Sequence, residues 1–104
     1  MRHDGHTIAS AAGGIRIEGN ALAGLVVAAA ELVDGARVRR PRRGLDVQIE
    51  DGRARVGIEL AARYGAVLPE LGDAVQRSVA DALARSSGLA VTAVDVSIVV
   101  LEDA

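Results

Sequence analysis

From residue 45 to residue 60 the chain reads LDVQIEDGRARVGIEL, and apolar side chains fall on alternate positions either side of Asp51-Gly52. Period-two alternation marks a strand with one buried face, and Asp-Gly suits a two-residue type I′ turn. That turn dictates a register in which Glu50 faces Arg53, Ile49 faces Ala54, Val47 faces Val56 and Leu45 faces Ile58. Every apolar residue then meets an apolar one, while Glu50–Arg53 and Gln48–Arg55 form compatible outward pairs. Turn chemistry and alternation predict the same hairpin.

On either side of the hairpin the period changes. GIRIEG alternates Ile15 and Ile17 with Arg16 and Glu18, which predicts a short strand. A helix is expected over 21–34, with Asn20 as N-cap and Gly35 just past its end. Its core stripe is Leu22, Leu25, Val26, Ala29, Leu32 and Val33, and its back face, with Gly24, Val27 and Ala28, is barely polar. That back is either a surface of good helix formers or one that a second protein covers. After the hairpin, LPELGDAVQRSVADALARSSG predicts a helix with Pro69 in its first turn and Gly88 at its close. Leu71, Val75, Val79, Ala82 and Leu83 form its buried stripe. Asp73–Arg77 and Asp81–Arg85 stand at i, i+4 on a solvated face. The final segment, VTAVDVSIVVLED, is expected to point Val94, Val96, Ile98 and Val100 inward. Its outer side becomes apolar at Val99 and Leu101.

The resulting order is β-α-β-β-α-β, an α+β two-layer sandwich with an antiparallel sheet and both helices on one face. Residues 1–13 lack periodicity and are expected to form a flexible N-terminal arm, leaving 14–104 as a single domain. The core must be aliphatic, because Tyr64 is the one aromatic residue among 104.

Charge adds a local feature. RVRRPRRG, residues 37–44, holds five of the twelve arginines and no acid, whereas the rest of the chain sets seven arginines against fourteen acids. Arg37, Arg39, Arg40, Arg42 and Arg43 are thus a candidate anionic contact on an acidic body, and Pro41 keeps the stretch out of regular structure. Three readings stand: a solvated connection, a contact with an anionic surface or acidic partner, or a nucleic-acid contact. Nucleic-acid binders of this strand order stack bases on sheet aromatics, and RARVGIEL has none; nor is a GxxG loop in place.

Catalytic chemistry finds no constellation in the sequence. No cysteine is present for a thiolate or a CxxC metal site. The serines have no histidine outside the expected arm to act as base, and no glycine-rich phosphate loop precedes a helix. His3 and His6 lack a third ligand and a rigid frame, so neither a metal nor a cofactor is expected. The N-terminus has no continuous apolar run of the signal-peptide kind, and ALAGLVVAAA is about half a bilayer span. A cytoplasmic, soluble protein is expected, with any membrane association peripheral.

The second half carries a resemblance. Tyr64-Gly65, Leu68-Pro69-Glu70, Val75-Gln76 followed by Val79, Ser87-Gly88-Leu89 and the alternating VTAVDVSIVV together resemble the signature region of the alkaline shock protein family of bacterial envelope stress-response proteins. The likeness extends over roughly residues 14–103, through the short strand, the alanine-rich helix, a variable loop and the hairpin. Departures are Ala66-Val67 at an often polar position, Ser87 for a common Thr, Asp95 for a common Asn, and the arginine-rich loop.

The resemblance implies a non-enzymatic protein gathered at the inner face of the cell membrane by a small membrane-anchor protein and by self-association, serving envelope and alkaline stress resistance. Some relatives are tied to lipid-precursor metabolism instead, and a nucleic-acid-binding or lipid-metabolism regulatory domain is the alternative. On that footing Gly24, Val27, Ala28, Val99 and Leu101 are the candidate homomeric or anchor-protein interface. Val27→Asp is expected to break assembly and spare the fold. Direct lipid contact through the arginines would be an accessory, each contributing at most about 1 kcal/mol.

Overall fold

The computed structural model describes residues 5–8, 15–39 and 45–103, with side chains from residue 21 onward. Its elements are β1 (Gly5–Ile8), β2 (Ile15–Glu18), α1 (Gly19–Glu31), β3 (Ala36–Val38), β4 (Leu45–Glu50), β5 (Arg53–Arg63), α2 (Leu68–Ser87) and β6 (Ala90–Glu102). The α+β class with two helices over a four-stranded sheet is as the sequence predicts. The order is longer than β-α-β-β-α-β, and the strands divide differently.

The hairpin forms in the predicted register, from Leu45↔Ile58 through Glu50↔Arg53. Asp51 and Gly52 both take positive φ, 53° and 74°, which a type I′ turn requires. β5 then continues to Arg63 and organises the whole sheet. β3 and β4 both run antiparallel to it along one edge, and β6 runs parallel along the other. The parallel β5–β6 pairing departs from the all-antiparallel expectation. It follows from α2, whose length returns the chain to the starting end of β5 before β6 begins. Nor does β2 join this sheet: it pairs with β1 in a separate two-stranded ladder, Gly5↔Glu18 to Ile8↔Ile15. Gly5–Ile8, inside the expected arm, therefore has a defined partner in β2. Its strand character comes from that ladder and not from a pattern of its own.

The helices cover one face of the sheet. Ala54, Val56, Ile58, Leu60 and Ala62 of β5 point into them and are buried, as are Leu22, Val26, Ala29 and Ala30 of α1 and Leu71, Val75, Val79 and Leu83 of α2. The Ser78 hydroxyl donates to the Ala29 carbonyl at 2.6 Å, joining the helices, and the Gln76 side-chain amide donates to the Val94 carbonyl at 2.9 Å, joining α2 to β6. α2 keeps its predicted bounds: Pro69 lies in the first turn, and Gly88, at φ 73°, returns its N–H to the Ala84 carbonyl. The expected Asp73–Arg77 and Asp81–Arg85 pairs do not close. Among the described residues the ion pairs within 4 Å are Arg37–Glu102 and Arg63–Asp34.

α1 ends earlier than predicted. Asn20 lies inside the helix, and after Glu31 the Val33 N–H bonds back to Ala30, a tighter three-residue turn. The change of pitch breaks the wheel, so Leu32, placed in the core stripe by its spacing, is 83% exposed.

Candidate interaction surface

Two bulges decide which side chains β6 presents. Ala54 pairs with Val91 but Arg55 with Ala93, and Leu60 pairs with Ile98 but Ala61 with Val100, so β6 carries an extra residue at Thr92 and another at Val99. Each extra residue shifts the alternation by one. Val94, Val96 and Ile98 face the helices as expected. Beyond Val99, however, Val100 and Glu102 share the side of Ala61 and Arg63, and Leu101 shares the side of Ala62. Leu101 thus lies on the helix side, not the outer side that its spacing predicts.

At this end of the sheet the chain gathers its exposed apolar groups. β5 and β6 finish here, α1 ends here and α2 begins here, and Tyr64 N–H bonds the Glu102 carbonyl. Among the described residues the exposed large hydrophobic side chains are Leu32, Tyr64, Val67, Val99 and Leu101. All belong to this end. The sequence names only Val99 and Leu101 for this surface. Tyr64, alone among aromatics and directly before Gly65, was the available signal for the others.

Two ion pairs frame the same end. Arg37 opposes Ala61, and its guanidinium reaches across that small residue to bind both carboxylate oxygens of Glu102 on β6. The bond holds the Glu102 carboxyl below its ordinary range and raises Arg37. Arg63 meets Asp34 at 2.5 Å. With Asp103 they line an open groove of about 300 Å³ whose charges are largely matched within the chain. Glu31 also closes inward, accepting the Val38 N–H at 2.9 Å.

The candidate residues therefore separate. Arg37 is an exposed strand residue committed to Glu102, and Arg39 donates its N–H to the Glu59 carbonyl, while Arg40, Arg42 and Arg43 lie outside the described residues. Gly24 and Ala28 are exposed on α1, and the Ala28 carbonyl accepts the Leu32 N–H, one turn before the apolar end. Val27 is half-buried and packs against the core. Val27→Asp would disturb the fold as well as any contact, so Gly24 and Ala28 are the positions that test the helix back.

No residue cluster able to hold a metal ion occurs among the described residues. No helix among them is long and apolar enough to cross a membrane. Solved structures of a protein called MamM share this architecture. The MamM-CTD D249A and H264A form superposes with a TM-score of 0.57 at 18% identity, over 80% of this chain and 94% of that one. A MamM CTD H285D cadmium form matches with the same TM-score at 19% identity, over 80% and 96%. At such identities the likeness is one of fold. No curated protein matches the chain. The family profile that matches spans residues 6–102, nearly the whole sequence and every described element except part of β1, and its description is a cell envelope-related function. The chain belongs to the alkaline shock protein 23 family.

Proposed function

We propose that this protein is a non-enzymatic adaptor of the envelope stress response, held at the inner face of the cell membrane by a small membrane-anchor protein and by association with its own copies. The observation that carries this reading is the convergence of Leu32, Tyr64, Val67, Val99 and Leu101 at one end, in a family of cell envelope-related function. Exposed apolar groups are commonplace singly, but five at one end of a small domain fit a contact surface. The surface consists of strand ends and helix ends flanked by two exposed ion pairs. With Arg37 engaged by Glu102, the remaining arginines of the cluster, Arg39, Arg40, Arg42 and Arg43, supply an accessory contact with an anionic surface.

Sedimentation of the endogenous protein with native membranes tests the proposal. Retention in both low and high salt is expected, with loss for Leu101→Asp. Release by salt alone would transfer the leading role to the arginines. Absence from the membrane fraction at every salt concentration would refute the adaptor reading.

A further inference from the structure

Among the described residues β6 pairs with β5 alone and is an outer strand of the sheet, and its bonding directions follow from the ladders. The type I′ turn makes Glu50 and Arg53 a hydrogen-bonded pair, so alternate residues of β5 from Ala54 turn their N–H and C=O groups toward β6. In a parallel ladder the register partner of such a residue points its own groups away. Val94, Val96 and Ile98, the partners of Val56, Ile58 and Leu60, therefore direct both backbone groups at the open edge. The bond from Gln76 to the Val94 carbonyl agrees with this direction. Their side chains are only half-buried, although those of their β5 partners are at most 2% exposed.

The two edges differ. β4 is six residues long and carries Asp46 and Glu50, a charged edge of the kind that resists strand addition. β6 between its bulges reads Ala93-Val94-Asp95-Val96-Ser97-Ile98, regular, without Gly or Pro, and with a single charge.

We propose that two copies of this chain join along β6, antiparallel about a two-fold axis at Val96. The proposal rests on the self-association in the adaptor reading and names the surface that performs it. Of the two-fold registers that keep the helices of both copies on one side of the joint sheet, three match at least two of these outward residues. Centring on Asp95 sets Asp95 against Asp95 and forms four bonds. Centring on Ser97 also forms four bonds and carries the next pair into the bulge at Val99. Centring on Val96 pairs Val96 with Val96, Val94 with Ile98 and Ile98 with Val94. All six outward groups on each strand are then matched, giving six hydrogen bonds between the copies, with the Val94 carbonyl accepting on the lone pair that the Gln76 amide leaves free. Asp95 stands opposite Ser97, so no acid meets an acid, and β-branched side chains face one another. A second copy fits because the outward residues are symmetric in position about Val96 and close in shape on either side. The bulges end the pairing at Thr92 and Val99.

The chain has no cysteine, so single substitutions report the register directly. After mild oxidation with diamide, Val96→Cys is expected to form a covalent dimer, since directly opposed strand residues lie within disulfide reach. Asp95→Cys and Ser97→Cys are expected to stay uncoupled, their sulfurs being two residues out of step. Ser97 is exposed and provides a second test without touching the core. Ser97→Asp, facing Asp95 twice, is expected to raise the dimer dissociation constant roughly 2- to 30-fold. Ser97→Lys is expected to lower it. Analytical ultracentrifugation of the unmodified chain supplies the assembly state. A dimer in which Val96→Cys fails to couple, or Ser97→Cys couples in its place, overturns the β6 pairing and leaves self-association standing. A monomer at every concentration overturns both.

Discussion

Gly24 is the sixth residue of α1, exposed, and a Cβ built there meets nothing within 4 Å. Its backbone is helical, so no left-handed conformation obliges it to be glycine. In an exposed helix interior alanine is favoured over glycine by about 0.8–1.0 kcal/mol, because glycine loses more backbone freedom on folding. In a domain of this size that is a rise of about 4–8 °C in melting temperature. Gly24→Ala should therefore stabilise the isolated chain, read by far-UV circular dichroism during urea and thermal unfolding at high dilution. The same measurement at high concentration separates two uses of the site. If the helix back is free, the gain persists at all concentrations. If a second backbone packs against Gly24 in an assembly, the gain shrinks or reverses as the protein concentrates. A loss of stability at high dilution would refute the reasoning, since it would mean that the glycine is needed within the monomer.

Other perturbations separate the parts of the structure. Leu83→Ala removes a fully buried side chain and should cost about 3–5 kcal/mol, whereas Leu32→Ala should lie within about 0.5 kcal/mol of the parent in urea unfolding. A Leu32 variant as costly as Leu83 would restore the longer helix. Gly52→Ala places a Cβ at φ 74° and should destabilise by about 1 kcal/mol or more, with Gly65→Ala, at φ 93°, acting in the same direction. The Glu102 carboxyl is lowered by Arg37, so its folded value lies below its unfolded one; the small stability it contributes is present above the ordinary carboxylate range and lost as pH falls through the lowered value. Carbon-detected NMR titration should find Glu102 protonating below a solvated glutamate and returning to the ordinary range in Arg37→Ala.

Local rules that act over two to four residues were legible in the sequence. The hairpin register follows from Asp51-Gly52 with the alternation either side, and α2 follows from Pro69, Gly88 and one apolar stripe. What was not legible depends on partners distant in sequence. Nothing local to VTAVDVSIVVLE announces that it runs parallel to β5 with extra residues at Thr92 and Val99. Those bulges, in turn, decide where Leu101 points. Leu32 misled because a helical period continues through the tightened turn that ends α1. Of the candidate surface, Val99 and Leu101 were visible as apolar residues in an outward phase. Their association with Tyr64 and Val67 needed the ends of β5 and β6 brought together.

The edge formed by β3 and β4 has a further consequence. Arg39 bonds to Glu59 and Leu45 pairs with Ile58, adjacent residues on β5, so β3 and β4 follow one another directly along that edge. The two halves are held independently, by the Asp51-Gly52 turn on one side and the Glu31–Val38 bond on the other. Lengthening the chain between them need not shift either register, since each doubling of a connection's length costs only about 0.6 kcal/mol. The junction between β3 and β4 is thus a splice point, where a peptide or reporter is accommodated while the strands on both sides keep their pairing.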